Sequence, residues 1–399
     1  MVSTAQHLTD LATALSSRGH DVTVVASDRG YDDPTRRFPR REHWNGIEVI
    51  RIRSLALGKS SRWRRAFNFG SFMLLCSLRL IALQRFDVVV ALTSPPLISF
   101  LAALLTKFRG GSFLFWVMDL NPDEAIAAGW LHERAPTTRL LQRMLNYSFH
   151  CATRTIVLDR FVKERVVAKG VDPARVACVP PWSHDDQVSY SEAGREEFRQ
   201  RHGLAEKFVV MYSGNHSPCH PLDTLLRAAQ RLAKRAEIIF CFVGGGSEQV
   251  KVRRFASHHG LKNVRCLPYQ PLRELSSSLS AADLHVVVMG EKFVGIVHPC
   301  KVYNIRTLGV PYLYIGPTES HVGEMAPTFE ARHGDVDGIV RCIERSAELK
   351  PGRAVASAAA EHGQERLVAR MVEVLERSVG PQIAKSGTSL LIASGGTRG

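Results

Sequence analysis

The sequence predicts an α/β protein built from two doubly wound parallel-sheet domains. Three observations carry this. Apolar runs of strand length recur along the 399 residues, separated by segments with helical apolar spacing. Runs such as Phe86 to Leu92 and Ser112 to Met118 are continuous, as expected for strands covered on both faces, whereas Gly46 to Arg53 alternates apolar and polar. The pattern also occurs twice, and Pro180-Pro181-Trp182-Ser183 divides the two blocks.

In the first block, Thr4 to Arg18 places Leu8, Leu11, Ala12 and Leu15 on one helical face and stops at Gly19. Strands are predicted at Asp21 to Ala26, Gly46 to Arg53, Phe86 to Leu92, Ser112 to Met118 and Arg154 to Leu158. A helix follows from Arg160 to Lys169. Phe67 to Leu83, interrupted by Arg79 and preceded by Arg62, Arg64 and Arg65, reads as a basic-apolar helix suited to a membrane surface or to a packed core.

In the second block, strands are predicted at Lys207 to Tyr212, Glu237 to Val243, Asn263 to Leu267, His285 to Met289 and Pro311 to Ile315, with a helix from Pro221 to Arg235. The stretch Phe293 to Pro317 reads as loop, helix, turn and buried strand, with Gly309 closing the helix. The resulting domains are 1–181 and 182–356, followed by a helix within 357–383 that packs back on the first domain. The Gly/Ser-rich residues 384–399 are expected to be a disordered tail.

A doubly wound domain normally begins with a strand near the sheet centre, whereas this sequence opens on a helix. Either the strand order is unusual or the written start lies downstream of the real one, and the second reading is preferred. The first domain is therefore expected to lack its first strand, which raises the alternative of an inactive binding subunit.

Bulk properties narrow the classes. Apolar content of 45% and charged content of 23% are those of a globular protein. The formal charge of +14 points to a polyanionic neighbour: phosphate-bearing substrates, an anionic membrane or nucleic acid. Ten Lys/Arg against two acidic residues lie between Arg36 and Arg65, flanking Trp44 and Trp63. They span loop, strand and loop rather than one helix face, and no nucleic-acid reading module is present. Eight scattered cysteines form no CxxC pair, so neither a zinc site nor a disulfide framework is indicated. There is no signal peptide pattern and no run of about 18 uncharged apolar residues.

Ligands of open parallel sheets sit at the carboxyl ends of the strands, and three loops of the second domain fall there. Tyr212 to Asp223 carries Gly214, Asn215, His216 and His220. Val243 to Ser247 carries Gly244, Gly245 and Gly246. The third loop holds Gly295, His298, Pro299 and Lys301 at the start of a helix, where unpaired amides and the helix dipole favour a phosphate. Each loop alone is a weak signal; together they indicate a nucleotide-diphosphate site. In the first domain Asp119, Asp123 and Glu124 cluster at a strand end and could orient a hydroxyl nucleophile or take its proton. Asp123 and Glu124 also suit a helix start after Pro122, so Asp119 ranks higher.

With these loops in hand, the chain resembles the glycosyltransferase family 4 group of GT-B enzymes, above all bacterial members that build surface polysaccharides. TAQHLTDLATALSSRGHDVTVVAS, MDLNPDEAIAAGW, YSGNHSPCHPLDTLL, FVGGG, LPYQPLREL, ADLHVVV and VGIVHPCKVYNIRTLGVPYLYIGP carry the resemblance across nearly the whole chain. It implies two Rossmann-like domains facing a cleft, and sugar transfer with retention from a nucleotide-sugar donor, without a metal or other cofactor. Gly214, Asn215 and His216 would line the diphosphate with Gly244, Gly245, Gly295 and Pro299. Lys301 and the backbone from His298 to Cys300 would neutralise its charge, and Pro268 and Tyr269 lie where the base is held. Asp119 and Lys301 are the expected catalytic residues. Many relatives carry two glutamates seven residues apart near the third loop, but here no acidic residue lies between Glu291 and Glu319. His216 and His220 stand where a basic pair is usual. The expected acceptor is lipid-linked or otherwise membrane-proximal, and the expected location is cytoplasmic, on the inner membrane face. A sugar-nucleotide epimerase of the same architecture is the alternative enzyme, although few acid/base groups are available for it.

Overall fold

In the computed structural model, residues 3–28, 37–53, 62–182, 188–349, 363–378 and 388–393 are described. Arg36 and residues 54–61 of the basic segment, and most of the tail from Ala384, lie outside these residues. The chain divides into two compact units, Met1–Pro181 with Glu365–Gly399, and Trp182–Gln364. In chain order the strands are β1 (Asp21–Ser27), β2 (Arg41–Trp44), β3 (Ile47–Ile52), β4 (Val88–Ala91), β5 (Ser112–Trp116), β6 (Arg154–Val157), β7 (Val176–Cys178) and β8 (Phe208–Asn215). They continue as β9 (Ile238–Gly245), β10 (Val264–Leu267), β11 (Leu284–Val288), β12 (Tyr312–Ile315), β13 (Phe329–Ala331) and β14 (Ser389–Ala393).

The first unit holds an eight-stranded sheet in the order β2-β3-β1-β14-β4-β5-β6-β7. All neighbours pair parallel except the β2–β3 hairpin. The sequence reading takes Gly46 to Arg53 as a lone strand. The structure adds β2 in front of it, turned through Asn45 and Gly46, both at positive φ (49° and 75°). That dipeptide is a strong hairpin signal.

For residues 388–393 the disordered-tail expectation is overturned by β14. Ser389–Ala393 is a strand inserted between β1 and β4, in register with both (Leu391↔Thr23 and Leu391↔Val89). Leu390, Leu391, Ile392 and Ala393 are buried. Strand order reverses at this point, with β1 and β3 to one side and β4 to β7 to the other, so β14 occupies the place of a doubly wound sheet's opening strand. The predicted vacancy in the first domain is thus filled by the far end of the chain, and the argument for an inactive subunit from an incomplete sheet loses its ground. The apolar run SLLIA carries the reason: buried on both faces, its surface stabilises the sheet centre far more than the flanking Gly and Ser favour disorder.

Helix Gln364–Ser378 packs with this unit, burying Leu367, Met371, Val372 and Leu375. Glu376 on that helix meets Arg18 at 3.2 Å and His20 at 3.5 Å. Along Arg62–Ala82, Phe72, Cys76 and Leu80 point inward while Phe67, Leu74, Leu78 and Ile81 are exposed. Among the described residues, no helix is long and apolar enough to cross a membrane.

The second unit holds a six-stranded parallel sheet in the order β10-β9-β8-β11-β12-β13. Its core is built from strand residues such as Phe240, Phe242, Val286 and Leu313, packed against helices Asp223–Arg231 and Val336–Glu348. Asp283 anchors the start of β11: it meets Arg195 at 2.5 Å and Arg199 at 3.0 Å, and accepts the Val209 N–H at 2.7 Å. A buried carboxylate needs this full set of partners.

Candidate active site

The carboxyl ends of β8 and β9 run out together as a pair of glycines. Gly214 and Asn215 lie opposite Gly244 and Gly245 in the strand register. Gly214, Gly244 and Gly246 have φ of 126°, 127° and 134°, a region that only glycine enters readily. The His216 N–H donates to the Gly245 carbonyl at 2.8 Å, and the Gln249 side-chain amide donates to the Gly244 carbonyl at 2.8 Å. Tyr269, which follows Pro268, lies over this loop and donates its hydroxyl to the Gly245 carbonyl at 3.0 Å. A Cβ on Gly245 would come within 2.9 Å of the tyrosine ring, so the glycine is what lets Tyr269 approach.

After β11 the chain passes a short turn at Glu291–Phe293, then Gly295 at φ 70°, then His298 and Pro299, and enters helix Lys301–Leu308. Gly309 closes that helix in the left-handed region at φ 68°. Loop, helix and turn thus lie as the sequence predicts, with Lys301 as the first helical residue.

Lys301 is half-buried with its Nζ atom shielded from solvent, and among the described residues no acceptor lies within hydrogen-bonding distance of Nζ. Nζ sits 3.8 Å from the centroid of the Tyr212 ring, and a Cβ built on Gly214 would be 3.2 Å from it. Desolvation pulls the lysine down to about 7, because burial penalises the charged form. His216 and His220 are held down at about 4 and about 3, first by desolvation and then by the Lys301 charge. Both imidazoles are therefore neutral near pH 7. The His220 Nδ1 atom lies 2.7 Å from the Val288 carbonyl oxygen, and His216 Nδ1 lies 3.1 Å from that of Gly214.

The structure thus brings Gly214, Asn215, His216, Gly244, Gly245, Tyr269 and Lys301 to one edge of the second sheet, with Gly295 and Pro299 in the loop that leads to the lysine. The His298 side chain goes elsewhere. Its Nε2 pairs with the Tyr303 hydroxyl at 2.7 Å, and its ring stacks on His321 at 3.8 Å. Two members of the site were not singled out in the sequence. Gln249 braces the loop, and Tyr212 underlies the lysine. Tyr212 ends an apolar run and looks like any strand aromatic; no local pattern links it to a lysine on a distant helix.

In the first unit, Asp119 follows β5. Its N–H donates to Thr93 Oγ1 at 3.2 Å. Its half-buried carboxyl is raised to about 7, mainly by desolvation, with the Glu124 charge adding to the effect. The neighbouring acids are occupied: Asp123 pairs with Lys169 at 2.7 Å, and Glu124 accepts from Asn121 at 3.2 Å.

The chain was compared with known proteins. The family described as "Glycosyl transferase 4-like domain" matches residues 4–182, and "Glycosyl transferases group 1" matches residues 194–298. The Escherichia coli protein WcaI, named as a glycosyl transferase of colanic acid biosynthesis, is 23% identical over 343 residues, covering 83% of this chain and 82% of its own. WbjE of Pseudomonas aeruginosa, named as a glycosyltransferase, is 26% identical over 58% of each chain. Among solved structures, Anabaena HepE in complex with UDP and glucose superposes with a TM-score of 0.72 at 14% identity, covering 94% of this chain and 95% of that one. WaaG, a glycosyltransferase of lipopolysaccharide biosynthesis, gives 0.67 at 15% identity over 92% of this chain and 95% of its own.

Proposed function

The chain belongs to the glycosyltransferase family 4 group of GT-B fold enzymes, and from that premise we propose that it moves a sugar from a nucleotide-sugar donor to a hydroxyl of a membrane-proximal, lipid-linked acceptor. The product would be a surface polysaccharide or glycolipid, as the name of the WcaI relative suggests. The donor is assigned to the second unit and the acceptor to the first.

One observation carries the donor assignment. The Lys301 Nζ atom is buried and lacks a described hydrogen-bond acceptor, and it borders backbone that only glycines readily form. A cation kept dry and uncompensated beside open backbone is suited to a phosphate. As the bond between the sugar C1 and the diphosphate oxygen breaks, negative charge grows on that oxygen and Lys301 stabilises it. A bond forms between C1 and the acceptor oxygen, whose proton passes to the Asp119 carboxylate. A side chain that titrates near 7 suits that exchange. With the lysine in this role no metal is required, and transfer retains the anomeric configuration. Chelator-insensitive turnover and the product anomer seen by NMR test these two points.

The acceptor side is argued from the exposed stripe Phe67, Leu74, Leu78 and Ile81, with exposed Arg85 just beyond the helix and exposed Lys107 and Phe108 next to Arg109, which donates to the carbonyls of Leu80, Ile81 and Leu83. Such a face suits an anionic lipid surface. Binding to phosphatidylglycerol vesicles but not to phosphatidylcholine vesicles is expected.

A thermal-shift panel of nucleoside diphosphates and nucleotide sugars tests the whole reading. A bound donor raises the melting temperature by mass action, and Lys301→Ala should abolish the shift. A variant that binds like the parent chain would remove the donor assignment.

A further inference from the structure

A buried lysine is ordinarily matched by a carboxylate, since an isolated charge in the interior is costly. Lys301 is matched differently. The groups facing it are Tyr212 from β8, His216 and His220 from the loop after β8, and His285 from β11. None carries a negative charge. The Tyr212 ring lies against it, with Nζ 3.8 Å from the ring centroid. That ring is itself fixed. It is 1% exposed, its hydroxyl donates to the Asn215 carbonyl at 2.8 Å, and the His216 ring packs edge-on against it at 4.9 Å and 70°.

We propose that Tyr212 is a positioning residue for the donor site: its ring face holds the Lys301 ammonium beside Gly214 without neutralising it, leaving the cation available to the donor diphosphate. The proposal rests on the reading of Lys301 as the phosphate-binding group. An aromatic face attracts a cation through its quadrupole but brings no net charge. A carboxylate in the same place would have to be displaced by the phosphate, whereas the ring stays in place as the phosphate arrives. The hydroxyl serves only to orient the ring, so phenylalanine suffices at position 212.

The arrangement also couples binding to protonation. Lys301 is held near 7 when no anion is present, so above neutral pH a diphosphate must draw a proton onto it. Weakening the ring's attraction makes the ammonium harder to hold, and the pH at which affinity falls should move in the acid direction.

The test is calorimetric titration of the full chain with UDP and with inorganic pyrophosphate, which carries the diphosphate without a base, between pH 6 and 9. Tyr212→Phe should bind within about twofold of the parent with the same pH midpoint, as expected if the ring face is the active element. Replacing residue 212 with phenylalanines of increasing ring fluorination preserves shape while draining the quadrupole. Affinity should then fall in graded steps, to roughly 3- to 30-fold overall, with an acid-shifted midpoint. Tyr212→Leu should behave like the most fluorinated ring, and the fluorinated series carries the test where leucine impairs folding. If Lys301→Ala weakens binding while the fluorinated series stays flat in affinity and midpoint, Tyr212 is packing only and the proposal is overturned. If Lys301→Ala binds both probes as the parent does, or the parent binds neither, the donor-site reading itself falls and takes this proposal with it.

Discussion

Gly214 and Gly244 face each other in register where β8 and β9 leave the sheet, and no Cβ fits on Gly244 without striking the Gly214 carbonyl oxygen. Gly244 also has a φ of 127°. Gly244→Ala therefore combines backbone strain with overpacking, and should cost ~1–3 kcal/mol or more in stability. It should also separate the two loops and weaken nucleoside diphosphate binding at least tenfold. Thermal melts and calorimetry check both; an alanine variant with the parent's melting point and affinity would refute this account of the loop.

Lys301 should set function against stability. Between about 7, where it titrates in the folded chain, and its ordinary value of 10.5, the unfolded chain carries a proton that the folded chain lacks. Stability of the nucleotide-free protein should therefore rise with pH across that window; below about 7 both states carry the proton and the full cost of burial stands. Lys301→Met removes that cost and should stabilise the free protein at pH 7 by on the order of 2–4 kcal/mol. The gain should shrink toward pH 10 while nucleotide binding is lost. Denaturant melts at pH 7 and 10 decide, and a methionine variant less stable than the parent at pH 7 would contradict the prediction.

Asp119 should govern turnover without governing donor affinity. Raised to about 7, its carboxyl is protonated and unable to accept a proton on the acid side. Activity should therefore climb as pH rises through neutrality. Asp119→Asn should lower kcat by ~10²–10⁴, remove that limb, and leave nucleotide binding as it was. The folded state holds this proton between 3.8 and about 7 where the unfolded state has lost it. Stability accordingly falls as pH rises across that interval, and the asparagine variant should lose that slope. Equal loss of kcat and of nucleotide affinity would assign Asp119 a structural role.

The central strand offers a separate test. Leu391 is fully buried between β1 and β4. Leu391→Asp places an unpaired carboxylate there and should cost at least ~3 kcal/mol. Removing residues 388–399 should leave β1 and β4 each with an unpaired edge, exposing residues 3–181 to limited proteolysis while 182–364 stay protected. A truncated chain as resistant as the parent would show that β14 is dispensable.

How much of this was legible depended on whether the cause was local. Strands such as VVVA at β4 and LHVVV at β11 declare themselves, because burial on both faces demands continuous apolar sequence. The loop around Lys301 was legible for a similar reason: Gly295, Pro299 and Gly309 each dictate their own backbone. Partners far apart in sequence were not. SLLIA was outweighed by its Gly/Ser surroundings because nothing nearby announces that Val22 and Val88 will flank it. Tyr212 and Lys301 lie on different elements, and only the sheet order brings them together. The loop sequence assigns His298 to the donor through its backbone; that its side chain pairs with Tyr303 and stacks on His321 is a choice the loop sequence does not record.

The position of β14 also fixes an order of assembly on the ribosome. Residues 182–364 emerge before Ser389–Ala393, so the second unit can fold while the first still waits for the strand at its centre. Until that strand arrives, β1 and β4 present open parallel edges, the kind of surface that recruits foreign strands. The central pairing thus joins segments far apart in the sequence, and long-range parallel pairing of this kind is intrinsically slow to form.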